Sequence, residues 1–124
     1  MAGEENVERA KRAYAAFSAG DAAAAMADMS DEIEWITPGN SAISGTAHGK
    51  QEVGAQWAKF AEKGFQTRPQ YWFSDDERVV VLCQVTLAGE RADTCDVLTF
   101  RDGKVVKFQT AGDTALGERV FGSA

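Results

Sequence analysis

The chain has a single histidine, His48, and two cysteines, Cys83 and Cys95, too few nitrogen and sulfur donors for a closed zinc site. Basic residues are also scarce, 13 against 19 acidic ones, and the net charge of -6 opposes binding to nucleic acid or to an anionic membrane surface. No apolar run approaches the roughly 20 residues of a membrane helix. The N-terminal Met1-Ala2-Gly3-Glu4-Glu5-Asn6 has no basic stretch leading into an apolar one, so a cytoplasmic protein is expected. The glycine-rich segment 39–49 has neither phosphate-loop spacing nor a Lys-Ser/Thr ending, which leaves nucleotide binding without support. The acidic groups Glu4-Glu5, Asp31-Glu32 and Asp75-Asp76-Glu77 read as solvated faces and turns, with no neighbouring set of metal ligands. Neither a cofactor nor a metal is expected. Repeats, low-complexity tracts and linkers are missing as well, so residues 1–124 read as one domain, long enough to bury about two-thirds of its unfolded surface.

What is present is a helical first half and a stranded second half. Val7, Ala10, Tyr14 and Phe17 fall at helical spacing and predict an amphipathic helix over 7–19, stopped by Gly20. Asp21 suits the cap of a second helix over 22–29. Ile33, Trp35 and Thr37 then alternate with Glu34 and Ile36, a short strand ended by Pro38-Gly39. Residues 39–49 read as a loop long enough to border a pocket. Val53, Trp57, Phe60 and Ala61 mark a third helix, closed by Gly64.

Four strands follow, over about 65–74, 78–87, 92–101 and 104–111, divided by Asp75-Asp76-Glu77, Gly89-Glu90 and Asp102-Gly103. A Gly89-Glu90 turn pairs Cys83 with Asp96 and Val81 with Leu98 on an inner face. Gln84, Cys95, Leu82 and Val97 then point outward, so the two cysteines lie on opposite faces and no disulfide is expected. For the last hairpin, a three-residue loop Arg101-Asp102-Gly103 places Val106 and Phe108 on the inner face. Tyr71, Trp72 and Phe73 are consecutive and must divide between the faces. With Leu82, Val97 and Val80 they make the outer face partly apolar, which points to a homodimer through that face. Asp113 suits the cap of a short terminal helix.

Asp96 stands out. Strand side chains alternate with period two, so it shares the face of Leu98 and Phe100. A buried carboxylate either titrates higher or finds a partner. If the core extends this far, its expected neighbours are Cys83, Leu98 and Phe108 and a raised pKa follows; if the core ends at Leu98, Asp96 lies at a solvated strand end. Trp35, Trp57, Phe60 and Phe108 read as core or pocket wall, suited to a flat apolar ligand, and Tyr14 reads as part of the helical core with its hydroxyl reaching the pocket or water.

The order of these elements, with Ala19-Gly20-Asp21, Ser44-Gly45-Thr46-Ala47-His48-Gly49-Lys50-Gln51-Glu52, Phe100-Arg101-Asp102-Gly103-Lys104-Val105-Val106 and Asp113-Thr114-Ala115, resembles the SnoaL-like branch of the nuclear-transport-factor-2-like superfamily. The resemblance implies an α+β cone: a curved, mainly antiparallel sheet wrapped around three helices, with an apolar pocket at one end. In the ketosteroid isomerases of that superfamily, a protonated Asp helps hold the enolate oxygen, and Asp96 matches its position. Thr37 stands where their general-base Asp would be, and a neutral hydroxyl cannot take a proton from carbon. Ala13 matches their oxyanion-hole Tyr, with Tyr14 one step along. The Asp-Arg-Asp group of the epoxide hydrolases is replaced by Gln84, Thr86 and Thr110. Against the polyketide cyclase pattern of an Asp with a supporting His, Asp96 and His48 are the pair available.

The resemblance therefore implies a cofactor-independent enzyme of cyclase or isomerase type acting on a small, largely apolar carbonyl compound such as a polyketide. Asp96 and His48 would be catalytic, and Tyr14, Phe17, Trp35, Thr37, Trp57, Phe60, Cys83, Leu98 and Phe108 would hold the substrate. The alternative is a binding protein that has lost the base.

Overall fold

The computed structural model describes residues 2–124. In chain order the elements are α1 (Ala2–Ser18), α2 (Ala22–Ala25), β1 (Met29–Thr37), β2 (Gly45–His48), α3 (Gly49–Glu62), β3 (Gln66–Ser74), β4 (Arg78–Leu87), β5 (Glu90–Arg101), β6 (Lys104–Gly112) and α4 (Thr114–Phe121). The strands form one curved, unclosed sheet in the order β2-β1-β6-β5-β4-β3. All neighbours run antiparallel except β1 and β6. This is the α+β class expected, with α1 and α3 packed in the hollow of the sheet.

Local chemistry explains most boundaries. Gly20 leaves α1 at φ 79, a left-handed conformation that glycine adopts without a Cβ clash. The Asp21 carboxylate then accepts from Ala24 N at 3.0 Å. The helix after it stops at Ala25, short of the expected 22–29, because Met29 is drawn into the core as the first residue of β1, paired with Val105. Packing here overrides propensity. The segment read as one loop, 39–49, splits: residues 45–48 become β2, lying against β1 with Trp35 opposite Ala47. Only the piece before it stays irregular, tied by Ser44 Oγ, which donates to Pro38 O at 2.9 Å.

Two turns differ from expectation. The β4–β5 turn is Ala88-Gly89, with φ 51 and 81, so Leu87 pairs with Glu90, Val81 with Asp96 and Cys83 with Thr94. The shift is two residues along the strand, and every side chain keeps its expected face. Both central residues are left-handed, as in the hairpin turn whose twist suits the flanking strands. The β5–β6 turn is a two-residue Asp102-Gly103, with φ 53 and 76, in place of a three-residue loop. A register shift between Thr99 and Phe100 then supplies the extra residue. Val105, rather than Val106, is consequently buried, opposite Phe100; Phe108 reaches the inner face as anticipated, but opposite Leu98, where the longer loop would have set it opposite Asp96.

Ile33, Val53, Val79 and Val81 are fully enclosed and form the centre of the core. At the far end of the chain, Asp113 accepts from Ala115 N and Leu116 N and so starts α4. This last helix folds back on the loop after β1: Ala42 N donates to Gly122 O, Ala124 N to Asn40 O, and Phe121 packs edge-on against Phe60 at 5.2 Å.

Ala88 carries the cost of the left-handed region, on the order of 1 kcal/mol for a residue with a Cβ. Asn visits that region more readily, so Ala88→Asn should raise the unfolding free energy by about 0.5–1 kcal/mol. Urea unfolding measures it; a loss of stability would contradict the turn described.

Candidate active site

The concave face of the sheet, α1, α3 and α4 enclose a cavity of about 200 Å³. Its wall is aromatic. Trp35 stacks on Phe108 with centroids 3.6 Å apart and rings 11° from parallel, and Trp57 stands edge-on to both Trp35 and Phe17. These contacts follow from the register, since Trp35, Phe108 and Leu98 sit side by side on β1, β6 and β5.

The next row up the sheet is polar. Ile36 pairs with Gln109, so Thr37 falls beside Thr110, and Thr110 pairs with Asp96. Asp96 is only 6% exposed, yet its carboxylate has partners on three sides. Tyr14 Oη donates to Oδ2 at 2.6 Å, Thr110 Oγ1 donates to Oδ1 at 2.7 Å, and Cys83 Sγ lies 3.6 Å from Oδ2. Burial pushes the Asp96 pKa up, while the hydrogen bonds from Tyr14, Thr110 and Cys83 pull against it; burial prevails. The neighbours respond in kind. Burial, and then the Asp96 charge, hold Tyr14 well above the usual phenol value and push the Cys83 thiol up to about 12. Cys83 is therefore a thiol at any ordinary pH and no nucleophile. Among the described residues, Thr94 Oγ1 and Thr67 Oγ1, farther along the same face, find no hydrogen-bond partner of ordinary geometry, and neither does the indole N–H of Trp57.

Of the residues singled out from sequence, Asp96, Tyr14, Phe17, Trp35, Thr37, Trp57, Phe60, Leu98 and Phe108 line this one cavity. Cys83 lies behind the wall, against the Asp96 carboxyl. His48 does not join them. It is exposed at the junction of β2 and α3, paired with Glu34, and its backbone N–H donates to Glu52 Oε1 at 2.9 Å. The proposed Asp96–His48 pair is thereby corrected: the partners of Asp96 are Tyr14 and Thr110. Thr110 was within reach of sequence reasoning, because any register that sets Leu98 against Phe108 also sets Asp96 against Thr110. The Tyr14 contact joins a helix to a strand 82 residues away and had no local signal. Thr37 Oγ1 accepts from Gln56 Nε2 of α3 at 2.6 Å, a partner that sequence reasoning also missed.

A carboxyl that titrates higher folded than unfolded binds its proton more tightly in the native state. Its contribution to stability is complete below the unfolded carboxyl range and is lost as pH rises through the folded pKa. Asp96→Asn removes that dependence. The unfolding free energy of the parent protein, relative to Asp96→Asn, should fall as pH climbs from about 4. Parallel urea titrations across pH check this, and a flat difference would mean that burial does not prevail.

Among curated proteins none matches the chain. Solved structures do. Bal32a, from a soil-derived mobile gene cassette, is 26% identical over 98% of this chain and 99% of its own, with a TM-score of 0.89. TerC, crystallised with polyporic acid, is 25% identical over 96% and 99%, with a TM-score of 0.83. A putative SnoaL-like polyketide cyclase from Jannaschia sp. CCS1 shares the fold at 16% identity, over 99% and 95%, with a TM-score of 0.81. The SnoaL-like domain profile matches residues 10–108, from the buried face of α1 through the Trp35–Phe108 stack and Asp96, and the chain belongs to the SnoaL-like domain family.

Proposed function

We propose that this protein admits a small, largely apolar carbonyl compound to the cavity and polarises its oxygen with the Asp96 acid, as a cofactor-independent enzyme of cyclase or isomerase type. The observation that carries this reading is a buried carboxyl, raised by its burial, on the wall of an aromatic cavity. When protonated, Asp96 has an O–H to donate, either to a ligand oxygen or to Tyr14, whose own O–H is then released toward the ligand. In a water-poor site such a bond strengthens as negative charge builds on the acceptor, which is the requirement for catalysing enolisation or aldol closure. That TerC was crystallised with polyporic acid, and that the Jannaschia protein is named a putative polyketide cyclase, supports a flat polyketide-like substrate.

One observation favours binding without turnover. Thr37, at the position of the isomerase base, is a hydroxyl engaged by Gln56, and it cannot abstract a proton from carbon. Incubation with aromatic polyketides and steroid enones, followed by mass spectrometry, decides between the two readings. For an enzyme, product forms and Asp96→Asn slows it by about 100-fold while retaining binding. Unchanged ligand after long incubation selects the binding reading, and full turnover by Asp96→Leu removes Asp96 from the mechanism.

The outer face of the sheet supports a homodimer. Tyr71, Phe73 and Leu82 are 61%, 56% and 39% exposed there, with Val80 and Val97 in the same row as Phe73 by register. Two such faces cover one another about a twofold axis. Sedimentation should give twice the chain mass at micromolar concentration, and Val97→Glu should give the single-chain mass. The two unpaired cysteines suit a reducing compartment, and the cytoplasm is the proposed setting.

A further inference from the structure

We propose that the cavity is built for a flat ligand bearing two carbonyl-type acceptor oxygens, one held at Asp96 and Tyr14 and the other at the Thr37 hydroxyl. This rests on the carbonyl reading above and extends it to the opposite end of the ligand. A hydroxyl offers one hydrogen and two lone pairs. Thr37 Oγ1 uses a lone pair to accept the Gln56 amide, and its hydrogen meets no acceptor among the described residues. The side chain lines the cavity, so that hydrogen is available to whatever enters.

The strand register gives the spacing. Thr37, Thr110 and Asp96 form one row across β1, β6 and β5, so two inter-strand steps, about 10 Å, separate the backbones at the two ends. Thr110, in the middle, has already committed its hydrogen to Asp96 Oδ1. With Asp96 protonated, donors sit at both ends of the row, and the neighbouring row, Trp35, Phe108 and Leu98, is an apolar surface for the ring system between them. An apolar edge against Thr37 would leave its hydrogen unpaired, which selects against ligands with one oxygen only. Where related isomerases carry a base, this chain presents a donor, and the matching ligand is a quinone or another dione whose oxygens lie on opposite sides of the ring.

Calorimetric titration with 2,3-dimethyl-1,4-naphthoquinone, its ring carbons blocked against thiol addition, and with 2,3-dimethyl-1-tetralone, its one-carbonyl counterpart, tests the assignment. The parent protein should prefer the dione by about 10-fold, one hydrogen bond's worth. Thr37→Val should abolish that preference and Thr37→Ser should preserve it. Gln56→Glu should abolish it too, because a carboxylate takes up the Thr37 hydrogen that the amide leaves free. A preference that survives in Thr37→Val or in Gln56→Glu overturns the proposal, as does failure of both probes to bind the parent protein. Asp96→Leu reports separately on the underlying carbonyl reading, since it should weaken both probes alike. If it changes neither, that reading falls whatever Thr37 does, and the two-ended assignment falls with it.

Discussion

Taking a carboxyl out of water is the costly act in this fold, and much of the surrounding architecture compensates for it. Asp96 loses its hydration in a wall of Val81, Leu98 and Phe108. In return it receives two short hydrogen bonds that come from different parts of the chain. One requires α1 to lie across the sheet with Tyr14 pointing down, steadied by the edge of Trp72 at 5.4 Å. The other requires the β5–β6 ladder to be in register, and the bulge beside the Asp102-Gly103 turn supplies that register. A change in either would leave a buried acid with a missing partner, and the penalty for an unsatisfied polar group exceeds the modest net gain from a satisfied one. The polar centre thus sets limits on how helix and sheet dock, although apolar contacts supply most of the driving force.

Those limits also explain how far the sequence was readable. Strand faces follow from alternation, so Asp96, Leu98 and Phe108 fell inward and Leu82 and Val97 outward even though the β4–β5 register was two residues off. An even error costs nothing on a lattice of period two. The β5–β6 turn was harder. A bulge changes the parity halfway along a strand, and nothing in Lys104-Val105-Val106-Lys107 says which valine it turns inward. The short strand Gly45–His48 carried little apolar signal, because Ala47 is the one buried residue in it. Most of the cavity wall was legible because aromatic residues at helical or strand spacing announce themselves. The hydrogen-bond partners were less so: Tyr14 and Gln56 reach the site from helices, and only the docking of those helices determines which strand residue each one meets.

The two sides of the sheet are in chemical contrast. Inside, apolar side chains flank the row of Thr37, Thr110 and Asp96, and the carboxyl at its end is paired. Outside, Tyr71 and Phe73 stand in the open beside Leu82. Because Trp72 lies between those two aromatics in sequence, one strand serves both surfaces: Trp72 steadies Tyr14, and through it Asp96, while its neighbours face away. Side-chain alternation allows a single segment to carry two unrelated requirements at once.

The helix α4 closes the cavity with Leu116, and eight residues are too few to hold a helical shape alone in water. It owes its form to the Asp113 cap, the Phe60–Phe121 contact and a few backbone bonds to the loop after β1. The Asp96 end of the cavity is backed instead by a continuous strand ladder, in which every residue shares its position with two neighbours. The enclosure is therefore stiff at one end and compliant at the other. An oxygen at Asp96 is held to the geometry of the sheet, while the opposite boundary yields to the shape of whatever lies against it.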